Sequence, residues 1–271
     1  MCMSCVTIAS VNQKGGQGKS QGAHALTMVL SSIYGKRVLL IDFDPHGVQK
    51  LLCGYKENIL DAYPSANISL IFEDKLLDID PIRVSEKVDA IFSNYLLAEY
   101  AERNIKNKEN LLSKLVKRFE EEYDYIIIDS LRTTGSLMTS VVLAADKLFV
   151  PVKTNILDES GTVGFLDEVY AIMEAYDKEI EKITLIPNLY ESNVNDKRES
   201  LSNIKNNHPK YLKSLGYKGE VLVAPPIPKR SLFDSAASDP EVYNIVKFIE
   251  KKAKSNRDIL TLLKTITEMS I

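Results

Sequence analysis

A glycine-rich turn between an apolar strand and a helix constrains the fold of this chain more than any other feature. The segment VTIASV (Val6–Val11) has the composition of a short buried strand, and it runs directly into NQKGGQGKSQG. After the turn, Leu26, Val29, Leu30 and Ile33 recur at helical spacing. A strand, a glycine turn and a helix in this order are typical of the phosphate-binding unit of an α/β fold.

The rest of the chain alternates in the same way. Near-continuous apolar runs are typical of parallel strands that are buried on both faces. Five further runs have this character: KRVLLIDFD, YDYIIIDS, KLFVPV, ITLIPN and EVLVAPPIP. We therefore predict a single α/β domain of the P-loop NTPase type over residues 1–271, with a mainly parallel, twisted sheet and helices on both faces. Residues 58–109 are the least regular region, and 240–271 are predicted to be helical.

Composition is that of an ordinary globular protein, with 45% hydrophobic and 26% charged residues. No apolar run approaches the roughly 18 residues needed to span a bilayer, and the N-terminus lacks the features of a signal peptide. We therefore expect a cytoplasmic protein. The three cysteines have no second pair or histidine cluster to complete a zinc site. Because the formal net charge is −3, a polyanionic partner would need a local basic patch.

The glycine loop matches the pattern G-x-x-x-x-G-K-[ST] in an altered form. Gly18, Lys19 and Ser20 fill the end of the pattern, but Gln13 stands in place of its first glycine. Glycines let backbone N–H groups turn toward phosphate oxygens, and the helix adds its positive end. We expect Lys19 to pair with the β- and γ-phosphates and the Ser20 hydroxyl to ligate Mg²⁺. The predicted nucleotide contacts in the loop are Gly15, Gly16, Gln17, Gly18, Lys19 and Ser20.

Three carboxylates stand at the ends of apolar strands. Asp42 and Asp44 end the second strand, and Asp129 ends the third. The carboxyl ends of parallel strands line the crevice where ligands bind. We expect Asp129 to hold Mg²⁺. Asp42 and Asp44 are two residues apart and point to the same side of an extended chain, so one can support the metal while the other positions the attacking water. The alternative is that one of the pair only caps the next turn.

Four segments resemble, in order, the signature segments of the ParA family of partition ATPases, within the wider ParA/MinD group of deviant Walker ATPases: NQKGGQGKS, LLIDFDPHG, YIIIDS and AADKLFVPV. The resemblance implies ATP/ADP and Mg²⁺ as cofactors, and slow ATP hydrolysis that a partner stimulates. Asp42 matches the metal-side aspartate of the family, Asp44 the water-orienting one and Asp129 the Walker B residue. Lys14 matches the lysine that crosses a dimer interface to the phosphates bound by the other subunit. The implied catalytic residues are Lys14, Lys19 and Asp44, and the implied metal ligands are Ser20, Asp42 and Asp129.

Two further matches concern the base of the nucleotide. Asn188, at the end of LIPN, lies where family members often contact adenine. Pro228 belongs to the segment PIPKR, which resembles the segment that follows the last core strand and helps to enclose the base. The resemblance implies that both positions are part of the ATP site.

This sequence also departs from the family pattern. Gln17 replaces a common valine, and Gln21 replaces the threonine whose hydroxyl contacts the α-phosphate, so Gln21 would donate an amide instead or lose the contact. Leu131-Arg132 stand near a common Pro-Pro pair. His46 replaces a common glutamine, and we expect it to be a solvated loop histidine. These changes leave the nucleotide affinity and the hydrolysis rate open.

The resemblance implies a switch that forms a homodimer with ATP, binds duplex DNA without sequence preference and segregates plasmids or chromosomes. It also implies a centromere-binding ParB-like partner and association with the nucleoid in the ATP-bound state. Lys247, Lys251 and Lys254 share one face of a predicted helix, although lysine runs are usually no more than a solvated helix face. The predicted DNA-binding patch consists of Lys229, Arg230, Lys247, Lys251 and Lys254.

Two alternative functions stay open. One is a MinD-like, membrane-associated positioning ATPase, and the other is a metabolic P-loop ligase of the dethiobiotin type. The terminal segment ILTLLKTITEMSI lacks bulky aromatic residues and a strongly basic face. We therefore expect a packed terminal helix and no membrane binding. Because the segment before the first predicted strand is short, we expect no N-terminal helix-turn-helix domain of the kind found in larger ParA proteins.

Overall fold

A computed structural model of the protein describes residues 5–56, 58–132, 135–229, 246 and 257–271. The strands in these ranges are β1 (Val6–Ser10), β2 (Val38–Phe43), β3 (Ile82–Ser85), β4 (Val88–Ile91), β5 (Tyr125–Ser130), β6 (Lys147–Lys153), β7 (Lys182–Asn188) and β8 (Glu220–Val223). The α-helices are α1 (Lys19–Ser32), α2 (Val48–Leu52), α3 (Ile59–Ala62), α4 (Leu96–Glu102), α5 (Leu111–Phe119), α6 (Ser136–Ala144), α7 (Ile156–Tyr176), α8 (Asn195–Asn206), α9 (His208–Leu215) and α10 (Arg257–Ser270).

The strands form one eight-stranded sheet in the order β3-β4-β2-β5-β1-β6-β7-β8. Every neighbouring pair is parallel except β3 and β4, which are antiparallel. The predicted α/β fold with a mainly parallel sheet is confirmed. Strands β2, β5 and β1 are direct neighbours, so the three strand ends that carry the predicted site residues lie side by side.

Both faces of the sheet are buried, which explains the continuous apolar runs. On β5, Ile126 and Ile128 join a cluster that includes side chains of α5, α6 and α7. Tyr125 and Ile127 point the other way and join a cluster that includes side chains of α1 and α10. Because successive side chains of a strand alternate between faces, a strand with helices on both sides must be apolar at nearly every position.

The irregular region 58–109 contains short helical turns, α4 and the antiparallel pair β3–β4. Strand β4 pairs with β2 and extends the sheet. The apolar pattern does not reveal β4 because Asp89 is one of its four residues and is buried. Its carboxylate accepts hydrogen bonds from Arg83 Nε at 2.5 Å and from the Tyr123 hydroxyl at 2.9 Å. Because both carboxylate oxygens have hydrogen-bond partners, the cost of burying this aspartate in a strand is reduced.

The C-terminal helix α10 packs against α1. Ile259 and Leu263 form an apolar cluster with Met28 and Val29 of α1, and Ile266 is buried in a neighbouring cluster. The segment therefore forms a packed terminal helix, as predicted. None of the described helices is both long and apolar enough to cross a membrane.

Candidate nucleotide-binding site

The glycine loop leaves β1 and ends where α1 begins. Gly16 and Gly18 have φ angles of 68° and 99°, a left-handed backbone that favours glycine. A side chain at Gly18 would also collide with the amide of Asn188. Asn188 donates from Nδ2 to the carbonyl of Gln17 at 2.7 Å. The loop is therefore held in its curved form by the end of β7, and its N–H groups precede the positive end of α1.

Lys19 is the first residue of α1, and only 5% of it is exposed. Its Nζ atom lies 3.5 Å from the carbonyl oxygen of Lys14. Burial lowers the pKa of Lys19, although the charges of Asp129 and Asp44 raise it. The ammonium group therefore lies between the loop and the aspartates, as expected for a lysine that meets the β- and γ-phosphates.

Asp42 and Asp129 face each other in register on β2 and β5, and both are fully buried. Burial and the neighbouring carboxylate of Asp129 raise the pKa of Asp42 well above its usual range. Burial raises the pKa of Asp129 to about 6, although hydrogen bonds from Gln49 and Ser20 lower it. Two adjacent buried carboxylates favour either a shared proton or a bound cation.

The carboxylate oxygens of Asp129 and Asp42 differ in how many hydrogen bonds they accept, and this indicates where a cation would bind. The Oδ1 atom of Asp129 is buried and has no hydrogen-bond partner within the described residues. Asp42, in contrast, accepts backbone hydrogen bonds on both oxygens, from Asp44 at 3.2 Å and Gln49 at 3.1 Å. Asp129 is therefore better placed than Asp42 to be a direct metal ligand.

Across the described ranges, no three His, Cys, Asp or Glu residues are grouped as a metal cage. Mg²⁺ needs only one or two protein ligands and keeps several waters. The oxygen atoms of Ser20, Asp42 and Asp129 therefore fit a hydrated Mg²⁺ better than a metal held entirely by protein.

Asp44 is the first residue after β2, and it is buried at the carboxyl end of the sheet. Its Oδ1 atom accepts two hydrogen bonds from His46, one from the backbone N–H at 2.9 Å and one from the ring Nδ1 at 2.7 Å. The His46 side chain is exposed, as expected for a loop histidine, but it also contacts the aspartate that was predicted to orient water. One oxygen of Asp44 is thereby occupied, and the other accepts no hydrogen bond from the residues that the structure describes.

Gln49 is a site residue that the motifs did not predict. From α2, its Nε2 atom donates to the Ser20 carbonyl at 2.8 Å and to Asp129 Oδ2 at 2.9 Å. It therefore links the start of α1 to the end of β5. In the sequence, Gln49 could have been noticed from its position in the first turn of α2, the helix after Asp44.

Lys14 is held by α7. Its Nζ atom donates to the Leu157 carbonyl and lies 3.8 Å from Asp158 Oδ1. The side chain passes close to Gly161, where a Cβ would collide with it. The structure therefore places the Lys14 side chain against α7 and the Lys19 side chain beside the aspartates.

The side chain of Gln17 takes part in contacts within the protein. Its Nε2 atom donates to Asp158 Oδ1 at 2.9 Å, and its Oε1 atom accepts from the backbone N–H of Lys153 at 2.6 Å. Gln17 is buried. Any contact of Gln17 with a nucleotide would therefore come from its backbone.

An apolar cavity of about 300 Å³ opens beside the loop. Its walls include Gly18 and Gln21 at the start of α1, Asn188 at the end of β7, and Ile227 and Lys229 after β8. Pro228 lies between the last two and forms an isolated bridge with Tyr190. Asn188 therefore lines this cavity, and Pro228 is adjacent in sequence to two of its lining residues.

Of the predicted DNA-binding residues, only Lys229 lies within the described ranges. Its Nζ atom is 3.6 Å from a carboxylate oxygen of Glu191, and the side chain is 62% exposed. Arg230, Lys247, Lys251 and Lys254 lie outside the described residues.

Comparisons with known proteins identify the family of this chain. The AAA domain family model (AAA_31) matches residues 5–182, which is more than half of the chain. Sporulation initiation inhibitor protein Soj of Bacillus subtilis is 30% identical over 169 residues, which cover 62% of this chain and 66% of Soj. Chromosome partitioning protein ParA of Myxococcus xanthus is 28% identical over 185 residues, which cover 68% of this chain and 65% of that protein.

A solved structure has the same fold at low sequence identity. Apo McdA of Cyanothece aligns with a TM-score of 0.77 at 18% identity, over 98% of this chain and 99% of McdA. At this identity the likeness concerns the fold alone. The chain belongs to the ParA family of P-loop partition ATPases.

Proposed function

We propose that this chain binds and hydrolyses Mg²⁺–ATP and uses the nucleotide as a dimerisation switch. The observation that carries the proposal is the buried Oδ1 atom of Asp129, which has no hydrogen-bond partner in the part of the chain that the structure describes and lies next to Asp42 and close to Lys19. A buried acceptor without a partner is costly, and a divalent cation at this position would satisfy it. Ser20, Asp42 and Asp129 would hold such a cation, and it would offset the negative charge of the phosphates.

Each residue of the site has a distinct task in this proposal. The loop N–H groups and Lys19 hold the β- and γ-phosphates. Ser20 and Asp129 would hold Mg²⁺, with Asp42 beside them, and the metal would neutralise phosphate charge. The cavity beside Asn188 and Pro228 takes the adenosine.

Asp44 orients the attacking water. His46 occupies its Oδ1 atom, so the second oxygen accepts a hydrogen bond from the water and directs it at the terminal phosphate. Positioning and proton acceptance of this kind contribute about 10²- to 10⁴-fold to a rate. We expect slow hydrolysis that a partner protein accelerates.

The dimer interface would include the surface around Lys14 and the start of α7. Ile156 and Leu157 begin α7 next to this lysine, and they are 45% and 78% exposed. Exposed apolar side chains beside a cation suit a face that another protein surface covers. In the dimer, Lys14 of each subunit would leave α7 and contact the phosphates held by the other subunit. ATP occupancy would then stabilise the dimer by mass action.

The ATP-bound dimer would bind duplex DNA without sequence preference and associate with the nucleoid. Together with a ParB-like, centromere-binding partner it would segregate a plasmid or chromosome. The support for this step is membership of the ParA family and the lysines of the predicted patch. The pairing of Lys229 with Glu191 reduces the contribution of that lysine to the patch.

The nucleotide step is tested by calorimetric titration of ATP into the full chain, with Mg²⁺ and with a chelator, and by phosphate release. We expect Mg²⁺-dependent binding and slow turnover. Asp129→Asn should lose most of the Mg²⁺ dependence. Wild-type protein that binds no ATP in the presence of Mg²⁺ would contradict the proposal.

A further inference from the structure

Arg132 lies over the glycine loop. Its Nη1 atom is 2.7 Å, and its Cζ atom 3.4 Å, from the position that a Cβ would take at Gly15. The guanidinium therefore rests on the backbone of Gly15, and a side chain at that position would displace it. Arg132 comes two residues after the end of β5, and β5 pairs with β1, the strand that leads into the loop.

The guanidinium has no hydrogen bond or ion pair to any residue that the structure describes. It is exposed and lies close enough to Lys19 for its charge to lower the pKa of that lysine. Arginine presents a planar fork of donors that suits phosphate oxygens. Lys19 and Arg132 both lie at the glycine loop, and Arg132 has no ion-pair partner among the described residues. The two cations therefore suit an anion with more than one negative charge.

The neighbours of the loop indicate which phosphate this is. The apolar cavity and Asn188 adjoin Gly18, at the C-terminal end of the loop. Asp44 and Asp129 lie near Lys19 on the β2–β5 side, where hydrolysis would occur. Arg132 covers Gly15, at the N-terminal end of the loop. A nucleotide with its base in the cavity would extend its terminal phosphate toward Gly15.

We propose that Arg132 is a ligand to the terminal phosphate of the nucleotide held by its own subunit, and that it makes the site prefer triphosphates to diphosphates. The proposal rests on the nucleotide binding proposed above. Arg132 then adds a positive charge in cis, in addition to the lysine that the other subunit would supply.

The test is calorimetric titration of the full chain with Mg²⁺–AMPPNP and, separately, with Mg²⁺–ADP. Arg132→Ala should weaken AMPPNP binding by about ten- to hundredfold, the usual effect of a lost charged hydrogen bond. ADP binding should change less than about threefold. Arg132→Lys should recover part of the loss because it restores the charge but lacks the fork.

The matched control is Arg103→Ala. Arg103 is an exposed arginine at the end of α4 that pairs with Glu99 at 3.5 Å. Repeating the titrations in a Lys14→Ala background removes the contribution of dimerisation, and an effect in cis should persist there. Thermal unfolding of each variant establishes that it is folded.

The outcomes separate this proposal from the proposed function. If wild type binds neither nucleotide, nucleotide binding itself is contradicted, and the Arg132 proposal falls with it. If wild type binds both and Arg132→Ala binds AMPPNP as wild type does, only the Arg132 proposal is overturned. An equal loss of AMPPNP and ADP binding also overturns it, because the contact would then not be with the terminal phosphate.

Discussion

Gln49 and Asp129 are joined by a hydrogen bond of 2.9 Å from the glutamine amide to Oδ2, which leaves Oδ1 of the aspartate without a described partner. This hydrogen bond holds the carboxylate of Asp129 in one orientation. Residues that orient a metal ligand commonly contribute ten- to hundredfold to affinity.

We therefore expect Gln49→Ala to weaken Mg²⁺-dependent ATP binding by roughly tenfold. Titration with Mg²⁺ at a fixed ATP concentration measures this. The same comparison in a chelator serves as the control, since the two proteins should then bind alike. Unchanged Mg²⁺ affinity in Gln49→Ala would show that the amide does not orient the ligand.

Asp44→Ala should slow ATP hydrolysis by about 10²- to 10⁴-fold and leave ATP binding nearly intact, because the change removes water orientation and no phosphate contact. Single-turnover phosphate release and calorimetry separate the two quantities. Asp61→Ala, a change at an exposed aspartate of α3, is the control. Turnover at the wild-type rate in Asp44→Ala would mean that another group orients the water.

The metal-free protein should become more stable as the pH falls from about 7 to 4. The pKa of Asp129 is raised to about 6 by burial, so the folded state takes up a proton before the unfolded chain does. This stabilisation is fully present below the unfolded pKa and is lost as the pH rises through about 6. Asp129→Asn should remove this dependence, in which the carboxyl changes the stability by roughly 3 kcal/mol between pH 4 and pH 8, while Mg²⁺ should compete with the proton.

Denaturant unfolding at pH 5 and pH 8, with and without Mg²⁺, measures this effect. Asp42, whose pKa is raised in the same direction by burial and by Asp129, should add to it. An apo protein that is less stable at pH 5 than at pH 8, by an amount that Asp129→Asn abolishes, would contradict the sign.

Lys247, Lys251 and Lys254 changed together to glutamate should remove DNA binding and leave ATP-dependent dimerisation intact. Each phosphate contact releases counterions, so wild-type affinity should need ATP, fall steeply with salt and show little sequence preference. Lys229→Glu should have a smaller effect because Glu191 already pairs with this lysine. Electrophoretic mobility or anisotropy at several salt concentrations measures the affinities.

The control for this triple change is an equal change of charge elsewhere. Lys114 and Lys117 of α5 and Lys210 of α9 are exposed and are not part of the predicted patch. Their replacement by glutamate should leave DNA binding within about threefold of wild type, since exposed charges that do not contact the DNA are largely screened. If wild type with ATP binds anionic liposomes and does not bind duplex DNA, the MinD-like alternative is favoured.

The glycine loop and its aspartates could be predicted because their signals are local. A run of glycines with a lysine, between a strand and a helix, indicates a phosphate-binding loop. Carboxylates that follow apolar strands lie at the carboxyl ends of a parallel sheet, where ligands bind. Sheet order then brings Asp42 and Asp129 into register.

The rest of the site depends on contacts between distant parts of the chain. Lys14 meets α7 across 143 positions, and Arg132 reaches Gly15 from the end of another strand. Gln49 acts through hydrogen bonds that form only when α1, α2 and β5 are assembled. Sequence spacing does not indicate these contacts, because the partners of a buried polar side chain are determined by the packing of the tertiary structure.

Light scattering of the full chain with Mg²⁺ and a slowly hydrolysed ATP analogue tests the central claim most directly. We predict twice the monomer mass with the analogue and the monomer mass with ADP. Lys14→Ala should bind the analogue but stay monomeric, and Lys19→Ala should lose tight binding, because it removes the charge on the β- and γ-phosphates. A wild-type protein that binds the analogue and remains a monomer, or an equal loss of nucleotide binding in the two lysine variants, would contradict the account.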